Sequence, residues 1–172
     1  MIVKVTQKVL AVAAMCMMSA ASFAESKIAV LNVQAAVFQT EAAKAKFAKL
    51  EKSADYAATK AKLDGIQSDA KTLTESYKKE STTWSAEKKA DAEKKLQGLN
   101  QDYEFNAKKL KESQNEVAQQ IMQELGAKAE AAVKQVIDQE KIGLVLNSQA
   151  AIHATPEYDI TSKVTEILNK AK

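Results

Sequence analysis

Apolar positions recur at alternating steps of three and four through the middle of the chain. Phe47, Leu50, Ala54, Ala57 and Ala61 form one row, which slips at Leu63-Asp64-Gly65 and resumes at Ile66, Ala70, Leu73 and Tyr77. This is the spacing of a helical seam that faces a partner helix. A second row runs through Ala92, Leu96, Leu99, Tyr103, Asn106, Leu110, Ser113 and Val117, and continues in Ile121, Leu125, Val133, Val136 and Ile137. Between the rows lies Ser81-Thr82-Thr83-Trp84-Ser85. The pattern predicts two long helices, the first from about Thr40 to Glu80, folded back at that cluster into a hairpin. Residues 40–140 hold no proline and three glycines (Gly65, Gly98 and Gly126), and they are rich in Ala, Lys, Glu and Gln, which favours helix. Ser85 is placed to cap the return helix, with Glu87 beside its positive end. Gly65 next to the slip reads either as a bend or as a tolerated helical glycine. Asn106 and Ser113 occupy positions where a stable coiled coil would place aliphatics. The seam should therefore be well packed at its root and looser towards Trp84. At 1.5 Å per residue, forty to fifty helical residues reach roughly 60–75 Å.

The flanks carry a different pattern. Lys27-Ile28-Ala29-Val30-Leu31-Asn32-Val33 reads as a strand covered on both faces, and Gln34 to Phe38 as a short helical turn. Gly143 ends the helical pattern. Leu144-Val145-Leu146 reads as a second buried strand, and Ala150–Ala154 is a candidate third, joined through Asn147-Ser148-Gln149. Pro156 breaks the chain, and Asp159 caps a last helix with Ile160, Val164, Ile167 and Leu168 on one face. The expected fold is mainly α with a small β base: residues 25–39 and 141–172 form the base, and residues 40–140 form a helical arm with its tip near 81–85. Outside the arm remain only about forty-five residues in two pieces. A unit that small rarely holds a core alone, and two or three short strands leave unpaired edges. Other copies of the chain are expected to complete the base; periodicity does not give their number.

The first 24 residues change the picture further. Lys4 and Lys8, the apolar run Val9–Met18 and Ser22-Phe23-Ala24 have the form of a secretory signal peptide cut before Glu25. Met15 before Cys16 stands where a lipobox needs a small residue. Cleavage would remove Cys16, the one cysteine, so the exported chain must be held by packing and assembly without disulfides. It would also remove Lys4 and Lys8 and lower the formal net charge from +3 to +1. The chain has no arginine, and a nearly balanced surface argues against a nucleic-acid binder.

No residue constellation points to catalysis, and no cofactor is expected. His153 is the only histidine, which leaves no His/Cys metal set and no Ser-His-Asp motif. It reads as a structural or surface residue. No glycine-rich phosphate loop occurs. The many carboxylates interleave with lysines at helical spacing, as on a solvated face. Near the tip stand Lys78-Lys79, Lys88-Lys89 and Lys94-Lys95, partly cancelled by Glu80, Glu87, Asp91 and Glu93. The simpler reading is a solubilising tip; the functional one is a patch built on Lys78, Lys79, Lys88 and Lys89 that meets acidic clients, or an anionic membrane surface or lipopolysaccharide. Trp84 reads equally as a staple of the turn or as an apolar contact for client or lipid.

Both chain ends carry a resemblance. Lys27–Gln34 with Val37-Phe38 and Ala42-Ala43-Lys44, and then Leu144-Val145-Leu146-Asn147, Ala150-Ala151-Ile152 and Asp159-Ile160-Thr161 with Val164 and Leu168, resemble the Skp/OmpH family of periplasmic chaperones. The resemblance spans the whole exported chain. It implies a homotrimer in which strands of three chains form a small barrel and the hairpins hang from it around a cavity. On that reading Ile28, Val30, Leu31, Leu144, Val145, Leu146, Ile160 and Val164 build the trimerisation body. It implies a periplasmic, ATP-independent holdase for unfolded outer-membrane proteins. The all-lysine, weakly positive surface departs from better-known members and speaks against tight charge-driven capture. The competing expectation is an exported coiled-coil adaptor or spacer that binds one folded envelope partner.

Overall fold

The computed structural model describes residues 27–171. The signal-peptide reading falls on residues outside that range. The base starts with β1 (Lys27–Leu31), which pairs in parallel with β2 (Ile142–Asn147), so the whole arm is the crossover between two neighbouring strands. Alternation along each strand sorts the side chains. Ala29, Leu31 and Val145 point to the helices and join the core, whereas Ile28, Leu144 and Leu146 lie on the other face.

Four helices close over the inner face: α1 (Val33–Phe38), α2 (Glu41–Glu51), the root of α4 (Ala86–Glu140) and α5 (Thr161–Lys170). Their contribution to the core is Ala36, Val37, Ala43, Ile121, Ala129, Ala132, Val136, Val164 and Leu168, joined by Ile160 just before α5. Alanine at four of these places lets the helix axes approach closely. The apolar row of α5 was legible in the sequence; a polar row beside it was not. Thr161 accepts from the Asn32 N–H (3.0 Å), Thr165 donates to the Ala36 carbonyl (3.0 Å) and Asn169 accepts from the Glu41 N–H (2.9 Å). Set four residues apart on one face, they satisfy backbone groups around both ends of α1 and at the start of α2; the Ala36 carbonyl is buried, the Asn32 N–H partly so and the Glu41 N–H exposed. Asp159 was expected to cap this helix; the cap position is held by Ile160 without a side-chain bond, and Asp159, one residue earlier, accepts from the Thr161 N–H at 2.8 Å.

The arm is a hairpin of α3 (Ala54–Glu80) against α4, turned by a short 3-10 segment, Ser81–Thr83. Ser85 caps α4 through the Lys88 N–H at 3.2 Å. Three cross-helix hydrogen bonds fix the register: Lys46–Glu124 (2.6 Å), Tyr56–Gln114 (2.7 Å) and Tyr77–Glu93 (2.9 Å). Going from each pair to the next, both helices advance by the same number of residues, so the hairpin does not slip along its length.

Four expectations are corrected. The first long helix is not continuous: it breaks at Lys52–Ser53, where Ser53 is extended (φ −67, ψ 143) and its hydroxyl donates to the Leu50 carbonyl at 2.7 Å. Beyond the break Tyr56, Thr59 and Ile66 are buried in the seam, whereas Ala54, Ala57 and Ala61 face solvent. The larger side chains win the seam because they remove more apolar area from water than three alanines. Gly143 does not end α4; Lys141 does, in the left-handed region (φ 56, ψ 46). Gly143 is instead the extra residue between the Lys27–Ile142 and Ile28–Leu144 pairs, at a register shift in the ladder. Ala150–Ala154 forms no strand: Ser148–Ala150 is a 3-10 turn and Ile152 and His153 are exposed. Finally, β2 is not covered on both faces within one chain, whereas β1 is covered over Ala29–Leu31 and open at Ile28.

Lys141→Gly should stabilise the chain by about 0.5–1 kcal/mol, since glycine reaches the left-handed region without the Cβ penalty. A urea midpoint that does not rise would show that the Lys141 side chain compensates for its strained backbone.

Candidate functional site

Three surfaces carry what the chain can do: the outer face of the base, the seam of the arm and the tip. The outer base face is apolar and open. Ile28, Leu144 and Leu146 are 50%, 49% and 38% exposed, and Ile152 and Tyr158 add to the exposed apolar side chains of the base. One edge of β1 is used by β2. Its other edge meets Asp159 through a single bridge, reinforced by the Ile160 N–H to the Val30 carbonyl at 3.0 Å. The far edge of β2 has no strand beside it among the described residues. Uncovered apolar side chains on a sheet with a free edge are the signature of a surface that another chain completes.

The eight residues expected to form the body divide into two groups. Val30, Leu31, Ile160 and Val164 are buried inside the single chain, and Val145 is half-buried. Ile28, Leu144 and Leu146 lie on the open face. Sequence reasoning placed Ile152 in a third strand and overlooked Tyr158. Both sit in irregular segments after β2, where no periodicity reports a face.

The middle of the arm seam is polar. Asn106, 4% exposed, donates to the carbonyl of Asp102 (2.6 Å), Thr59 to that of Asp55 (2.8 Å) and Ser113 to that of Lys109 (3.1 Å). Each turns back on its own helix, so the polar groups are satisfied without joining α3 to α4. At that level Tyr56–Gln114 alone crosses the seam. A cleft of about 190 Å³ opens beside it, with Leu50, Ser53, Tyr56, Thr59 and Leu110 among its walls.

At the tip, Trp84 packs edge-on against Tyr77 (centroids 5.6 Å apart), and the Lys88 ammonium sits 4.2 Å from its ring centroid. The Tyr77 hydroxyl donates to Glu93, and this bond to a carboxylate raises the phenol above its ordinary pKa. The indole N–H is buried with no acceptor among the described residues, so packing and the cation set the ring's position. The structure thus uses Trp84 to hold the turn. Lys78 and Lys79 lie in the last turn of α3, next to its negative end, with their side chains exposed; Lys88 is exposed and Lys89 half-buried.

Among the described residues no group of three or more His, Cys, Asp or Glu side chains gathers to hold a metal, and no helix is long and apolar enough to cross a membrane. His153 is exposed in the segment after β2.

Comparison with known proteins gives three findings. The family model described as "Outer membrane protein (OmpH-like)" matches residues 27–168. A "Skp-like protein" of Pseudomonas aeruginosa is 32% identical over 98% of this chain and 99% of its own length. A crystal structure of an OmpH-like protein from Caulobacter crescentus aligns with a TM-score of 0.46 at 20% identity, covering 86% of each chain.

Proposed function

The chain belongs to the OmpH-like family, a family of periplasmic chaperones, and on that premise we propose that it is an ATP-independent holdase for unfolded outer-membrane proteins. Three copies pool their bases through the outer sheet faces, and three arms project around a shared space. A client chain held there touches many weak sites at once. Each contact releases easily, yet together they retain the client through high effective concentration. The observation that carries this reading is the pairing of an open apolar base face with an arm whose seam is polar in the middle: the first calls for assembly, the second for arms that yield.

When a denatured outer-membrane β-barrel protein is diluted into buffer with a stoichiometric amount of this chain as assembled, light scattering should stay near baseline without nucleotide. Scattering equal to that of the client alone would refute the holdase reading. A fixed complex with a folded envelope protein, and no effect on unfolded ones, would identify an adaptor instead.

The tip has a secondary role in this proposal. With Trp84 engaged by Tyr77 and Lys88, the tip offers lysine charge to an anionic surface rather than an inserting ring. Replacing Lys78, Lys79, Lys88 and Lys89 together by Glu should abolish salt-sensitive binding to vesicles rich in anionic lipid, whereas Trp84→Ala should weaken it only slightly. Equal binding by the charge-reversed variant and the original would remove the tip from the account.

A further inference from the structure

The two apolar rows of the first arm helix are out of phase, and the mismatch has two places to sit. Phe47 and Leu50 continue, at heptad spacing, into Ala54, Ala57 and Ala61; Tyr56, Thr59 and Leu63 continue into Ile66, Ala70, Leu73 and Tyr77. The second row lags the first by two residues, a rotation of about 160° on a helix of 3.6 residues per turn. One defect must therefore lie between Leu50 and Ile66. The structure puts it at Lys52–Ser53. A second position is available at Gly65, where a bend is least opposed: glycine weakens the helix, and a Cβ built there would meet nothing within 4 Å.

We propose that the arm is bistable, with the phase defect moving between Ser53 and Gly65. In the state seen here, residues 54–64 turn Tyr56, Thr59 and Leu63 towards α4. In the other state α2 and α3 run on as one helix to Asp64, Ala54, Ala57 and Ala61 face α4, and Tyr56 and Leu63 turn outward. Residues before Leu50 and after Ile66 keep their partners in both states, so the exchange is local to about three helical turns. The surroundings suit it. Thr59, Asn106 and Ser113 hold their hydrogen bonds within their own helices and do not resist rotation. Tyr56–Gln114 is the one cross-helix bond broken. The cleft beside Ser53 leaves free volume where the segment must turn. If the holdase reading is right, the switch presents a tyrosine and a leucine to a client on demand and hides them in the empty chaperone; the switch itself does not depend on that reading.

The exchange can be followed by electron–electron distance measurement between spin labels at two exposed positions, Lys60→Cys on the rotating segment and Lys134→Cys on the fixed root of α4. The chain from residue 25 onward carries no native thiol, and mixing with unlabelled subunits isolates distances within one chain. Rotation of the segment carries the label at position 60 across the helix, on the order of 10 Å. The proposal expects two distance populations. Ser53→Ala, which removes the hydroxyl bond to Leu50 and favours continuous helix, should raise the minor one at least about threefold. Gly65→Ala, sterically silent in the state seen here, should deplete it by a similar factor. A single distance in all three proteins, or weights indifferent to both substitutions, would overturn the proposal.

Discussion

Leu144→Asp combined with Leu146→Asp is expected to leave each subunit folded and to abolish assembly. Within one chain both side chains lie on the open face of β2, so aspartate there meets water and should change subunit stability by no more than about 0.5 kcal/mol per site. In the proposed assembly the same positions sit where three bases meet. Six carboxylates would then be buried together without partners, and an unpaired buried charge costs several kcal/mol or forces the group to neutralise. The contrast between a mild effect in one chain and a large one in the assembly is what the measurement must find. Helical circular dichroism should stay close to that of the original protein while sedimentation shows single subunits. Retention of the assembled mass would place the contact between copies elsewhere; loss of the helical signal would show that these leucines belong to the subunit's own core.

Val164→Asp should act the other way and dismantle the subunit itself. Val164 is fully buried where α5 closes over β1, α1 and the root of α4, in one cluster with Val37, Val136 and Ile160. Burying a carboxylate there removes the packing of the valine and adds an unsolvated charge, together about 3–5 kcal/mol. That is a large share of the stability of a small domain. The polar row Thr161, Thr165 and Asn169 would be lost with the helix and would leave backbone groups of α1 and α2 unpaired. The base is expected to melt at or below ambient temperature, whereas the tip, held by Trp84, Tyr77 and Lys88, should retain local helix. Near-original thermal unfolding would mean that α5 is not a keystone of the base.

How far these elements could be read from the sequence varies with the physics behind each. The mainly helical hairpin on a small β base was legible, because a heptad seam needs only local spacing. The return helix followed its row in large part: Ala92, Asn106, Ile121 and Val136 are buried as that spacing requires, whereas Tyr103 of the same row is 43% exposed and the buried Ala129 and Ala132 were not expected. In the first helix the same rule chose Ala54, Ala57 and Ala61, and failed. Two rows competed there, and the one with Tyr56, Leu63 and Ile66 removes more surface from water at the expense of a break at Ser53. Ser53 gives little local warning, since it looks like any surface serine of an arm. Lys141 was missed because glycine is the usual left-handed residue and a candidate, Gly143, stood two places on. The third strand was expected from the apolar character of Ala150-Ala151-Ile152, but the chain leaves β2 in a 3-10 turn, Ser148–Ala150, capped by the Asn147 side chain, and the far edge of β2 stays unpaired among the described residues. The open face of the base was hidden for another reason. Ile28, Leu144 and Leu146 look like core in sequence, and which apolar residues remain in water is decided only when the chain closes on itself.

The account stands on the claim that one chain cannot finish its own base. The most direct test is the molar mass of the chain from residue 25 onward in solution, by light scattering across a range of protein concentrations. Three times the subunit mass is the expected result. The mass of a single subunit at every concentration, with the helical content intact, would contradict it.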